Sequence, residues 1–149
     1  MAIHKIDGVD GVNNFPKKFV TLYCSAPITK GDWVVIDLAN TENGRGGSVK
    51  KFAAGSALDA TTFGIATETK TAAGNLTIQT AGLCDFALMT ASVAAGAALV
   101  CDGATAGAAS AAAGGDAAAP CGIYVAADGS TASVAAASNL VLIADQGYF

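Results

Sequence analysis

From position 19 onward, apolar and polar residues interleave in short runs rather than at the three-to-four spacing of an amphipathic helix. The runs cover 19–25, 32–38, 49–53, 62–68, 76–80, 84–89, 98–102, 122–126 and 140–143. They are rich in Val, Ile, Phe, Tyr and Thr, whose side chains suit a pleated, half-buried surface. Between them stand Lys30-Gly31-Asp32, Asn43-Gly44, Gly46-Gly47, Asp102-Gly103 and Asp128-Gly129, residue types that accept the positive φ of tight turns. The pattern predicts an all-β fold, a small barrel or sandwich of short antiparallel strands. Helix is limited to single turns at 59–62 and 91–98, the second interrupted by Gly96.

Residues 1–18 carry no sustained period of 2 or 3.6, but two Asp-Gly pairs, Asn13-Asn14 and Pro16. They read as an extended N-terminal arm that takes its order from contacts with something else. Residues 19–149 then form a single β domain. Within it, 103–120 (GATAGAASAAAGGDAAAP) is low in complexity; its glycines oppose a long helix, and a surface loop is expected.

A faint internal duplication runs through the domain. Ile28 to Asp37 (ITKGDWVVID) is matched by Val93 to Asp102 (VAAGAALVCD), Phe63-Gly64-Ile65-Ala66 by Cys121-Gly122-Ile123-Tyr124, and Asn75-Leu76-Thr77-Ile78 by Asn139-Leu140-Val141-Leu142. The offsets are 65, 58 and 64, in the same order along the chain. Such a repeat implies two similar β-units in one body, with 103–120 inserted in the second.

Composition sharpens this picture. Of 149 residues, 34 are Ala, 18 Gly, 13 Thr and 8 Ser, so bulky side chains are scarce and further burial against copies of the chain or a partner is expected. The formal charge of −4 is unevenly spread: basic residues concentrate before position 52 and acidic ones after it. The early lysines suit an acidic partner, but they are too sparse for a nucleic-acid stripe. Cys24, Cys84, Cys101 and Cys121 form no CxxC pair, which opposes a zinc ribbon or dithiol motif and favours free buried thiols. Met1 to Lys18 has no hydrophobic signal character, and no apolar run approaches the ~20 residues of a spanning helix. A soluble protein assembled in the cytoplasm, without nucleic acid or membrane as partner, is the expectation.

Candidate chemistry is thin. The single histidine is His4 in the arm, and no nucleophile elbow or phosphate loop is present. Asp37 and Asp102 occupy equivalent repeat positions, where an acid pair or hard-metal site is conceivable, but Asp at a strand end is ordinary turn chemistry. No enzyme activity, cofactor or metal is expected. Candidate contact residues are Phe15, Pro16, Lys17 and Lys18, a docking element in the arm unless the lysines are a solvated pair, and three aromatics as candidates for subunit contact: Trp33, an anchor of the core or of a subunit contact rather than a sugar platform, and Tyr148 and Phe149, which cap the core or fill a neighbour's pocket.

In PITKGDWVVID, FGIATE, NLTIQTAGLCDFAL, VAAGAALVCDG and CGIYVAA the chain resembles the small capsid decoration, or cement, proteins of tailed bacteriophages. The resemblance spans about Ala26 to Ile143 and leaves out the arm and the 103–120 loop; Ala97 stands where the first repeat has Asp32. It implies a structural virion protein, a homotrimer on the capsid exterior, with the major capsid protein as its partner. The arm would then lie on the shell and the β body would trimerise. The alternatives are a head fibre or tail component, a small-molecule-binding barrel, which calls for a hollow lined by larger apolar groups, and a hydrolase built on Asp37 and Asp102.

Overall fold

The computed structural model describes residues 16–37, 47–53, 62–90, 93–101, 105–113, 120–125 and 137–143. These carry nine strands and no α-helix: β1 (Lys18–Cys24), β2 (Trp33–Ile36), β3 (Ser48–Lys51), β4 (Thr62–Ala66), β5 (Gly74–Leu88), β6 (Ala98–Cys101), β7 (Ala109–Ala111), β8 (Gly122–Tyr124) and β9 (Ala137–Ile143). All nine expected runs fall on strands, seven of them on a strand each and two on one shared strand, with ends shifted by a few residues. The other differences lie at β5 and β7.

The runs 76–80 and 84–89 are one strand. At the expected break, Gly82 takes φ 87°, a conformation glycine adopts without strain, so the chain bends there without leaving the ladder. Gln79 is buried beside the bend, and its amide Nε2 donates to the carbonyls of Ala81 (3.1 Å) and Leu83 (2.8 Å). Strand β7 lies inside the segment expected as loop. Ala109-Ser110-Ala111 has little β preference of its own, and pairing with Leu99, Val100 and Cys101 of β6 overrides it, as tertiary context often does in sheets. The expected arm falls on residues 1–15 outside the described set, on Pro16 and Lys17, which precede the first strand, and on Lys18, which opens β1.

Five strands close into a mixed barrel in the order β1–β3–β2–β4–β5–β1. All pairings are antiparallel except β1 with β3. The second half of β5 then continues through β9, β8, β6 and β7, and Met89 bridges back to Ala109 in parallel. This second set repeats the first. Trp33↔Ile65 and Val34↔Gly64 recur as Ala98↔Ile123 and Leu99↔Gly122. Val34↔Lys51, Val35↔Lys50 and Ile36↔Val49 recur as Leu99↔Ala111, Val100↔Ser110 and Cys101↔Ala109. The parallel pair Cys24↔Val49 recurs as Met89↔Ala109. Turns follow suit: Gly31 N–H donates to the Ala66 carbonyl and Gly96 N–H to that of Tyr124, both at 2.9 Å.

The duplication read from the sequence is therefore the plan of the fold, with one correction. Ile65↔Gln79 and Ala66↔Ile78 recur as Ile123↔Leu142 and Tyr124↔Val141, so Ile78 corresponds to Val141 rather than Leu142. A slip of one residue exchanges the faces of a strand. Leu76 and Ile78 are fully buried in the first unit, and the positions that match them inward are Asn139 and Val141. Leu76 and Leu140 match in sequence at an offset of 64, one residue off the structural equivalence.

Two clusters form the core. Cys24, Ile28, Val34, Val49, Phe63, Ala66, Leu76 and Ile78 fill the first barrel. The second cluster joins the interior of the second unit (Leu99, Ala109, Cys121, Tyr124, Val141) to Trp33, Val35, Phe52 and Ile65, which the first unit contributes. Trp33 lies at this junction. Its backbone N–H donates to Gly107 O (2.8 Å) and its indole N–H to Leu88 O (3.0 Å).

Candidate interaction surfaces

The junction also explains the turn before β2. Asp32 is 3% exposed; its Oδ2 accepts from Thr29 N–H at 2.8 Å and meets Lys51 Nζ at 2.9 Å. Gly107, at φ 73°, lies so close that a Cβ there would sit 2.6 Å from Asp32 Oδ1. In the second unit Ala97 replaces Asp32, yet the turn has the same backbone bond: Asp32 N–H to Thr29 O (3.0 Å) becomes Ala97 N–H to Ala94 O (3.1 Å). The two turns are equivalent in backbone, and the aspartate adds an ion pair only where the units meet.

Of the arm residues, Pro16 and Lys17 are exposed and Lys18 is half-buried; Phe15 lies outside the described residues. Lys18 opens β1 opposite Ala81, with a register shift before Phe19. Phe19 itself is 56% exposed. Lys30 Nζ stands 4.8 Å from the centre of the Phe86 ring, a cation–π contact. The structure thus brings Lys30 to Phe86, next in the chain to exposed Asp85; Lys30 and Phe86 carry no motif that would mark them in the sequence.

The anchors divide differently. Trp33 is 0% exposed, so of its two readings the core anchor holds and the subunit contact is corrected: it anchors the two units of its own chain, because the face of β2 on which it stands is covered by the second unit. Tyr148 and Phe149 lie outside the described residues.

Asp37 approaches Lys50 at 3.6 Å, a surface pair at the end of β2. Asp102 and His4 lie outside the described residues. Among the described residues no three His, Cys, Asp or Glu side chains are grouped to hold a metal ion. All four cysteines are free and buried, as expected. Burial pushes the Cys84 thiol up to about 11. A hydrogen bond with Cys101, together with burial, holds Cys121 well above the usual thiol range. Thiols so raised are poor nucleophiles at neutral pH.

The outer face of the second unit is the surface that sequence reasoning missed. Leu83 of β5 lies opposite Leu142 of β9, Leu142 opposite Ile123 of β8, and Ile123 opposite Ala98 of β6. Ile123 is 43% exposed and the other three are half-buried, so four strands present one apolar row. The signal was present in the repeat: once Ile65 and Ile123 are matched, the question of what covers each follows. Compared with the models of known protein families and with curated proteins, the chain has no match.

Proposed function

We propose that the protein is a structural component of a virion, a decoration protein that binds the outside of a bacteriophage capsid as a homotrimer and stabilises the head. The observation that carries this reading is where the resembling residues sit. PITKGDWVVID and VAAGAALVCDG build the glycine turns into β2 and β6, FGIATE and CGIYVAA build β4 and β8, and NLTIQTAGLCDFAL is the shared strand β5. The likeness thus follows the two-unit framework itself. A body with both units knit through one strand is a stiff platform suited to clamping neighbours under load.

In this reading the arm lies on the major capsid protein, with Phe15 and Pro16 filling a pocket or adding to a strand edge and Lys17 and Lys18 facing acidic groups. The β body joins copies to one another, with Tyr148 and Phe149 as its candidate aromatic anchors. Weak contacts then multiply through valency. No catalytic role, cofactor, nucleic acid or membrane enters the proposal.

The test is to delete residues 1–17, which leaves β1 in place, and to measure occupancy on preformed heads alongside the thermal transition of the free protein. Occupancy should fall at least tenfold while the transition stays within a few degrees. Full occupancy by the truncated chain would refute the role of the arm.

A further inference from the structure

We infer that the outer face of the second unit, centred on Ile123, docks on the first unit of another copy of this chain. The inference deepens the self-association in the function proposed above by naming the faces that meet, and it rests on the internal repeat. In the first unit the row equivalent to Leu83–Leu142–Ile123–Ala98 is Phe19–Gln79–Ile65–Trp33, paired in the same registers. Its last three members are 1%, 0% and 0% exposed, because that face is covered by the second unit. The chain therefore already contains one such contact, between its own two halves. The second unit offers the matching face with nothing among the described residues to bury Ile123.

The receiving surface follows from the same correspondence. Within the chain, Trp33 is received by the end of β5, at the Leu88 carbonyl, and by the turn carrying Gly107. The repeat places the Tyr23–Cys24 end of β1 and Gly47 at those positions. Ser25 and Ala26 beside them are exposed. Donor face and receiver are different surfaces of one chain, so the contact is head-to-tail. Head-to-tail contacts close into a ring when the rotation permits and grow into filaments when it does not. Three copies would give a ring of six similar β-units, alternating contacts within and between chains.

Among the described residues the four members of the row itself are apolar, and its counterpart inside the chain is filled by a β-unit of this same fold. A second copy is thus the occupant that matches it in shape and chemistry.

The test uses the full-length chain. Sedimentation equilibrium should give a multiple of the single-chain mass for the wild type, and Ile123→Lys should reduce it to one chain. Thermal transitions of the variants establish that each is folded. A double variant, Ala98→Cys with Ser25→Cys, should form disulfide-linked oligomers on mild oxidation, which neither single variant forms. A wild type that stays a single chain at high concentration overturns the inference. So do an unchanged mass for folded Ile123→Lys, and cross-links that form in Ala98→Cys alone, which would indicate a symmetric contact. If folded Ile123→Lys keeps the wild-type mass but loses occupancy on heads, the face belongs to the shell protein; the inference then fails while the capsid reading stands.

Discussion

Cys84 shows how an apolar neighbourhood sets the chemistry of a reactive group. Its sulfur is fully buried, and the cost of placing a thiolate there raises its pKa from the ordinary 9.0 to about 11. In the unfolded chain the thiol titrates near 9, so between pH 9 and 11 the folded state holds a proton that the unfolded state has lost. Stability from this group is therefore complete below pH 9 and declines as pH rises towards 11, by at most about 3 kcal/mol. Denaturant midpoints measured from pH 8 to 11 should fall with rising pH. Cys84→Ala should flatten part of that slope, leaving the share due to Cys121. An identical slope in the variant would show that Cys84 ionises in the folded state as freely as in water. The carboxylates have no comparable effect on this alkaline limb.

Strand crossings set a tighter rule on elements. Gly64 of β4 and Gly122 of β8 occupy the same place in the two units, each pressed against the carbonyl of the neighbouring strand. A Cβ at Gly122 would stand 2.6 Å from Leu142 O, and one at Gly64 would be closer still to Gln79 O. Backbone cannot yield as a side-chain tip can, so Gly64→Ala and Gly122→Ala should each cost about 3 kcal/mol in chemical denaturation. Gly74→Ala, with nothing within 4 Å of its would-be Cβ, should change stability by less than about 0.5 kcal/mol. Equal effects at all three positions would remove close approach as the reason for these glycines. The two equivalent glycines were legible in the sequence as FGIA and CGIY, and so were most strands, since alternation and turn residues report local pleating. Continuity through Gly82 was not, because a glycine that ends a strand and one that bends it look alike. Strand β7 was hidden because its pairing, rather than its alanines, makes it a strand. Trp33 was legible as an anchor but not as to what it holds: the sequence shows an apolar position, and only the packing shows which surface covers it. The same limit hid the row around Ile123, whose residues are individually unremarkable.

At the scale of the whole molecule, the shared strand decides how the two units behave together. Residues 74–81 of β5 close the first barrel against β1 and β4, and its continuation from Gly82 pairs with β9. Trp33, Val35, Phe52 and Ile65 of the first unit are packed into the core of the second. Neither unit can lose its core without exposing apolar surface belonging to the other, so the repeat is a duplication of form without independence of folding. Unfolding in denaturant at fixed protein concentration should accordingly be a single transition. The only tryptophan stands at the junction and makes a convenient probe: its fluorescence and the far-ultraviolet circular dichroism should trace coincident curves. Ile78→Ala, inside the first barrel, and Val141→Ala, at the matching place in the second, should each move both curves together, with losses of about 2–4 kcal/mol. If Val141→Ala instead produced an early phase in the dichroism while the tryptophan signal held, the second unit would be melting away from an intact first barrel. The junction would then be a docking of two separable modules, and the contact proposed between copies would have to be as labile as the one within the chain.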